Sequence, residues 1–410
     1  MKICIIGGGL TGLVAGLRLS GTADVTILEK NPESGGLLAS YKINNTYYLE
    51  KYYHHCFSHD TALYDLLVEL NLSDTLEWLN GSTGYLVNGI IYPLTSPIEI
   101  IRYPHLSYID KAKLAYFTMR ASKISVQELD NISARNYIIN TLGKGIYQSF
   151  FEPLLLAKFG KMADEIAASW VVSRVAIRSD RSIKGERLGY LHGGYNTLIE
   201  GLVNACLKRG CKLLQNCAAD TIFKDDTGWT INGNHYDALL STIPPQALSA
   251  IGGPDIRPVP YQGAACMALG LSRDVTNGIY WVNVRDDAPY GAVIGHTNFV
   301  PRDRYGEDIV YLASYRTDGN FEGLKDIMLH DFCTRFHLNQ DDIHWCHLTT
   351  DLYAGPLYIT GYHEKMEEYH QDGLYMAGMF SPENYPERSM EGSIRAGERI
   401  ARTMLQEALT

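Results

Sequence analysis

The chain has eight cysteines in 410 residues, and no two of them stand as a C-x-x-C pair. Without that spacing, neither a zinc site nor a thioredoxin-type redox motif is expected. Unpaired thiols of this kind read as reduced, mostly buried side chains of a cytosolic protein. No apolar run reaches the roughly 18 residues of a spanning helix, so no transmembrane segment is expected. The first apolar stretch is interrupted by glycines and reads as a core strand, not a secretory signal. Positive charge is in short supply, with 36 Lys and Arg against 46 Asp and Glu and a net charge of −10. That balance excludes a nucleic-acid binder, which needs a basic face. It also gives no support to an electrostatic grip on anionic lipid. There is no repeat at a fixed period and no low-complexity tract.

What is present is a globular composition, 46% hydrophobic and 20% charged, on a chain too long for one typical core. Two domains are therefore the default. The most informative stretch is MKICIIGGGLTGLVAGLRLSGTADVTILEK. Gly7, Gly9 and Gly12 follow the strand-like Lys2–Ile6 with the spacing G-x-G-x-x-G. Gly7 permits a tight turn, Gly9 lets a pyrophosphate approach the backbone, and Gly12 lets the helix pack close to the strand. The helix N-terminus offers N–H groups and a positive dipole end to an anion. Glu29 ends the next strand, where an acid can accept hydrogen bonds from ribose hydroxyls. With both strands, the helix and the acid in register, the motif predicts dinucleotide binding.

A second glycine pair, Gly35-Gly36, follows in a turn-rich loop. Residues 61–79 are apolar at helical spacing. Asn88-Gly89 and Asn232-Gly233 predict hairpin turns. From about 97 to 180 the pattern is helical, broken at Pro104, Gly143 to Gly145, Pro153 and Gly160. Residues 191–223 form a second α/β unit whose helix is closed by Gly210. Residues 236–245 form a buried strand ended by Pro244-Pro245. A helix is expected near 323–337, and a long terminal helix opening near Gly392. Nucleotide-domain pieces thus lie at 1–80, 185–245 and 352–410, separated by insertions at 81–184 and 246–351 that would build a second domain.

These residues carry a resemblance. GGGLTGLVAGLRL, ILEKN and SGGLLAS resemble the ADP-binding turn, ribose acid and second glycine pair of the flavin-containing amine oxidases. That superfamily includes protoporphyrinogen oxidase and, more distantly, UDP-galactopyranose mutase. SMEGSIRAGERIARTML is similar to the amine-oxidase helix that faces the flavin, and LSTIPP to a strand end of the family. The resemblance implies an α/β chain: a Rossmann-like, GR2-type FAD-binding domain with an α+β substrate domain built from the two insertions. It implies non-covalent FAD, since no cysteine precedes the terminal helix where some relatives carry a linkage. By resemblance Gly7, Gly9, Leu10, Thr11, Gly12, Glu29 and Lys30 hold the ADP half, and Gly36 and Leu37 lie near the pyrophosphate or ribityl chain. Ala219 would meet adenine through its main chain, Gly378 and Met379 would lie by the pyrophosphate, and Met390 and Ser393 would meet the flavin pyrimidine edge. A helix N-terminus there would stabilise negative charge on reduced flavin. Leu37 and Met379 stand where many relatives have arginine and an acid.

Hydride removal by a flavin needs positioning and exclusion of water more than a nucleophile. The strongest polar constellation is Glu50 to Asp60, with His54 and His55 as candidates to tune the flavin or shuttle a proton. A structural histidine is the competing reading, and the spacing matches no zinc site, so no metal is expected. Tyr353 is a candidate wall of the substrate cavity, with core packing as its alternative. Tyr280-Trp281, Tyr290 and His296-Thr297-Asn298 are further candidates to line it; Glu152-Pro153, Trp170 and the pair Arg174 and Arg178 are weaker ones. The favoured expectation is an FAD-dependent oxidoreductase acting on an amine or C–H bond of a small-molecule substrate. A mutase-like, flavin-dependent sugar-nucleotide isomerase is the alternative, and a flavin-binding protein without catalysis, or a lipid-facing desaturase docked on a membrane by a short apolar helix, is a third. A homodimer is left open.

Overall fold

A computed structural model describes residues 1–177, 181–182, 185–366 and 369–408. Arg178 lies outside the described residues. The chain is mixed α/β and divides into two compact units: Met1–Glu77, Tyr190–Pro260 and Lys365–Thr410 form one, Trp78–Gly189 and Tyr261–Glu364 the other. No helix among the described residues is long and apolar enough to cross a membrane.

The first unit is built on a six-stranded sheet in the order Lys212–Leu214, Asp24–Leu28, Lys2–Ile6, Ala238–Ser241, Leu374–Met376, His370–Gln371. The first five strands run parallel and the last is an antiparallel edge. Ile3, Cys4 and Ile5 are buried on both faces, which is why the strand reads as an unbroken apolar run. The helix Leu10–Leu19 packs back on this sheet: a Cβ at Gly16 would meet Ile27 Cδ1 at 2.7 Å. The terminal helix Met390–Glu407 packs on Leu10–Leu19 through Gly397, where a Cβ would meet the Thr11 carbonyl oxygen at 2.7 Å. That helix starts at Met390, before the expected Gly392, because Ser389 caps it by accepting from the Gly392 N–H at 2.9 Å. Residues 61–79 are not one helix. The helix Thr61–Glu69 stops ahead of Asn71, which takes a left-handed φ of 57°, and Leu76–Gly81 is a strand.

The second unit carries a seven-stranded sheet, in the order Ile343–Pro356, Tyr261–Leu271, Asp308–Arg316, Ala292–Gly295, Trp281–Val284, Thr83–Val87, Ile90–Pro93. Met267, Leu312 and Phe332 form its core, the last from the helix Leu324–Phe336. Asn88 and Gly89, at φ 53° and 74°, turn the final hairpin as expected of a primed turn. In the helical part, Gly143 (φ 100°) and Gly160 (φ 51°) end helices, but Pro153 does not. It follows directly on a π-helical turn, Tyr147–Phe151, and the helix runs on through it as Glu152–Phe159.

The units are cut differently from the expected domain limits. Ile343–Pro356 is one continuous strand, paired with Tyr261–Leu271 as far as Tyr261↔Pro356, so residues 352–356 stay with the second unit. Leu248 and Ile256 are buried beside Cys4 and Trp229, so residues 246–260 belong with the first.

Candidate active site

The opening turn is shaped by what glycine lacks. Gly7 has a φ of +106°, and a Cβ there would meet Thr242 Oγ1 at 2.4 Å. Thr242, at the end of the strand Ala238–Ser241, bonds the Ile6 and Gly7 carbonyls through its hydroxyl. A Cβ at Gly12 would stand 2.0 Å from the Gly7 carbonyl oxygen, so strand and helix close on each other only with glycine here. Gly9 differs: the nearest atom to its Cβ would be Gly36 Cα, at 3.9 Å. The second glycine pair is brought against the first, with the Gly35 N–H donating to the Gly8 carbonyl at 2.8 Å. The helix's first internal bond runs from the Leu13 N–H to the Gly9 carbonyl, leaving the N–H groups of Leu10, Thr11 and Gly12 with no carbonyl of their own helix. No acid stands in that first turn. The arrangement can hold an anion by backbone alone.

Glu29 is buried behind the turn. Its Oε2 accepts the Gly8 N–H at 2.8 Å, and its Oε1 accepts the backbone and side-chain N–H groups of Asn31 at 2.8 and 2.9 Å. Each oxygen of a carboxylate has two acceptor sites, so Oε2 retains capacity for a hydroxyl. The Cys217 N–H donates to the Glu29 carbonyl at 2.9 Å, which fixes the segment carrying Ala219 beside the acid. Ala219 buries its methyl among Cys4, Leu28 and Trp229. Lys30 is exposed, and Leu37 and Met379 are half-buried. Gly378 donates its N–H to Ser381 at 2.9 Å and gives its carbonyl to Asn384 at 3.1 Å, so it has close approach to offer rather than an N–H.

The terminal helix meets this turn. The Thr11 hydroxyl donates to the Ser393 carbonyl at 3.1 Å, and Met390 is buried at the helix start. Glu391 accepts from the Ala62 and Leu63 N–H groups at 3.1 and 3.0 Å, tying the start of one helix to the start of another. The histidine loop leads into the second of these helices, Thr61–Glu69. His54 Nδ1 lies 2.7 Å from the Tyr52 carbonyl, so Nδ1 carries the proton and Nε2 is left as the acceptor. Desolvation by burial, with the charge of Arg388 added, pulls its pKa down to about 4. His55 is half-buried and packs its ring edge-on against Phe57 at 5.1 Å.

Sequence reading gave the acid of this loop no partner. Glu50 is buried, and its carboxylate accepts the Tyr190 hydroxyl at 2.8 Å and the Tyr195 N–H at 2.6 Å. Desolvation raises its pKa, and the bonds from Tyr195 and Tyr190 oppose the rise. The ring of Tyr195 stands 6.2 Å from that of His54, so one residue touches both the buried acid and the histidine. An acid opening a polar constellation was visible; partners 140 and 145 residues away were not.

The family model for flavin-containing amine oxidoreductases matches residues 10–405. The chain belongs to that family. It is a flavin-dependent oxidoreductase, and FAD is its cofactor. Among solved structures, it is similar to a candidate protoporphyrinogen oxidase from Exiguobacterium sp. 255-15 (17% identity, 99% of each chain covered, TM-score 0.77). It is also similar to a reduced UDP-galactopyranose mutase (18% identity, 100% of this chain and 94% of that one, TM-score 0.74). Cyclohexylamine oxidase from Brevibacterium oxydans IH-35A is a third (16%, 100% and 99%, TM-score 0.70). At these identities the likeness shows the fold. No curated protein matches.

The remaining candidates of this amine oxidoreductase lie in the second unit. Tyr353 packs edge-on against Tyr261 at 5.7 Å, and its N–H donates to Asp351 at 2.7 Å. It stands in a bulge, where the pairing jumps from Gln262↔Gly355 to Ala264↔Asp351. Gln262, beside that bulge, is buried with neither amide atom hydrogen-bonded among the described residues. An uncharged glutamine at the start of a strand gives no sequence signal, and it escaped notice. The other candidates are engaged in the unit's own structure. The Tyr290 hydroxyl donates to Asp331 at 2.6 Å, Asn298 donates to Asp274 at 2.8 Å, and buried His296 lies 2.9 Å from the Tyr305 hydroxyl. Trp170 packs against Phe159 at 4.7 Å.

Proposed function

We propose that this flavoenzyme oxidises an amine or a saturated C–H bond of a small molecule with FAD bound non-covalently. In this reading the first unit is a Rossmann-like, GR2-type FAD domain and the second an α+β substrate domain. The observation that carries it is the open side of Gly9 against Gly36, with helix N–H groups aimed into it. A diphosphate fits where a side chain at either glycine would stand.

Gly7, Gly9, Leu10, Thr11 and Gly12 then hold the diphosphate through the backbone, and Glu29, with Lys30 beside it, accepts the ribose. Gly36 and Leu37 border the ribityl side, Ala219 meets adenine through its main chain, and Gly378 and Met379 allow close approach. Met390 and Ser393 present the start of the terminal helix to the pyrimidine edge. When bound, FAD supplies a two-electron acceptor for a hydride from carbon. His54, neutral at pH 7 with Nε2 as acceptor, takes the proton that a substrate nitrogen gives up, and His55 packs beside it. Tyr353 and Gln262 face substrate in the second unit.

The test is a spectrum of the protein as isolated, with mass spectrometry of the released ligand, followed by anaerobic mixing with amine and C–H substrates. Flavin absorbance that bleaches with one class, without dithionite, is the expected result. A nicotinamide or no ligand would end this reading. Bleaching only by dithionite, followed by rearrangement of a UDP-sugar, would replace it with the isomerase.

A further inference from the structure

Residues 97–123 of the second unit carry two helices, Pro97–Arg102 and Tyr108–Ala121. The longer one buries Phe117 and Ala121 on its inner face. Its outer face is apolar as well. Tyr108, Ile109, Tyr116 and Met119 fall on one stripe at helical spacing and are 57% to 78% exposed. Ile98 and Ile101, three apart on the shorter helix, are 61% and 55% exposed. Such side chains singly need no explanation; gathered on one face they mark a contact surface.

The charges around the stripe have one dominant sign. Arg102, Lys111, Lys113, Arg120 and Lys123 stand against only Glu99 and Asp110 in this segment. Both acids are engaged at helix starts. Glu99 accepts the Thr95 and Ser96 N–H groups at 2.9 and 2.7 Å, and Asp110 accepts the Ser107 hydroxyl at 2.7 Å. The cations lie beside the exposed aromatics: Lys111 Nζ is 5.0 Å from the Tyr108 ring, and Arg120 donates to the Tyr116 hydroxyl at 2.8 Å.

We propose that this face docks on the surface of an anionic phospholipid bilayer, lying in the headgroup region without spanning it. Large apolar side chains with tyrosines among them and a lysine and arginine rim are the chemistry of an interfacial helix. The rim is complementary to anionic headgroups. A second copy of this chain in a twofold contact would set the basic rim against itself, which disfavours a dimer through this face. The net charge of −10 acts against approach to such a membrane, but beyond a Debye length of about 10 Å that repulsion is screened, whereas the rim touches the headgroups.

Cosedimentation of the purified flavoprotein with vesicles tests this. Vesicles of equal parts phosphatidylcholine and phosphatidylglycerol are expected to pellet it at low salt and less at high salt; phosphatidylcholine alone is not. Ile109→Ser with Met119→Ser is expected to weaken partitioning at least about tenfold. Lys113→Glu with Arg120→Glu is expected to weaken it by about fivefold or more for each reversed charge. Phe223→Ser, at a 62% exposed position of the first unit, leaves it unchanged. Flavin content and circular dichroism confirm that each variant is folded. Absence of binding to the phosphatidylglycerol vesicles, or binding that neither double variant weakens, overturns the proposal. So does a dimer in light scattering that Ile109→Ser with Met119→Ser dissolves in a protein that ignores vesicles, which would make the occupant a second copy.

Discussion

A methyl group placed at Gly12 or at Gly9 asks two different questions of the same turn. At Gly12 it would lie 2.0 Å from a backbone oxygen; at Gly9 nothing would be closer than 3.9 Å. Gly12→Ala is therefore expected to cost about 2–4 kcal/mol of apoprotein stability and the flavin with it. Gly9→Ala is expected to leave apoprotein melting unchanged while flavin affinity falls tenfold or more, by order of magnitude, because its methyl blocks the anion's approach. Melting curves and flavin absorbance per mole of protein separate the two, and equal destabilisation would contradict the assignment. His54 carries a second prediction. Its pKa of about 4 lies below the ordinary 6.5, so between those values the unfolded chain binds a proton that the folded imidazole refuses. Stability falls as pH drops from 6.5 towards 4, and the imidazole adds no pH dependence above 6.5. The gap corresponds to about 2–3 kcal/mol. The raised pKa of Glu50 works in the opposite sense, its stabilising share being lost as pH rises through the folded value. Urea unfolding at pH 7 and pH 4.5 is thus best compared between wild type and His54→Gln. The wild type is expected to lose about 2 kcal/mol more on acidification, and equal losses would place His54 in solvent.

The opening and closing helices meet through small residues. A Cβ at Gly397 would stand 2.7 Å from the Thr11 carbonyl oxygen and 3.1 Å from Val14 Cβ, both on the opening helix. Gly397→Ala is expected to separate the helices and cost about 1–3 kcal/mol, with faster flavin release, since the Thr11–Ser393 bond lies in the same contact. Gly145→Ala, with no neighbour within 4 Å of its Cβ, is the control and is expected to be neutral or slightly stabilising. Urea unfolding and flavin release by fluorescence read both. Elements of this scale were legible where their geometry is set within a few residues. The glycine spacing fixes a turn by φ, and Asn88-Gly89 and Asn232-Gly233 do the same for hairpins. Residues 61–79 misled because apolar spacing persists past Asn71, and only the backbone at Asn71 reveals that the helix has ended. Pro153 misled because a π-helical turn just before it, Tyr147–Phe151, carries the helix past the proline.

At the scale of the whole molecule, each unit is assembled from separated stretches of chain, and that is where sequence reading loses sight of partners. The sequence marks Glu50 as the start of a polar constellation, but only tertiary structure brings Tyr190 and Tyr195 to it; net charge hides a basic face on a chain of −10. The thiols report the same dependence on assembly. None of the eight is joined in a disulfide, and Cys4, Cys56, Cys206, Cys211 and Cys266 are buried, drawn from both units and from widely spaced parts of the chain. Burial pushes the Cys4 thiol up to about 12, which leaves almost no thiolate at neutral pH. Cys211, whose thiol is drawn down by its hydrogen bond with Cys206, is closed off by burial instead. A thiol reagent at pH 8 is therefore expected to reach at most the half-buried Cys217, Cys333 and Cys346 of the native protein, and all eight in denaturant. Reducing agent should leave the melting temperature unchanged. Because the buried five are covered only when distant segments of their units are in place, their labelling rate should follow global unfolding and rise with urea. Rapid native labelling of Cys4, at the centre of the parallel sheet, would mean that the opening strand leaves the sheet without the rest of the unit unfolding.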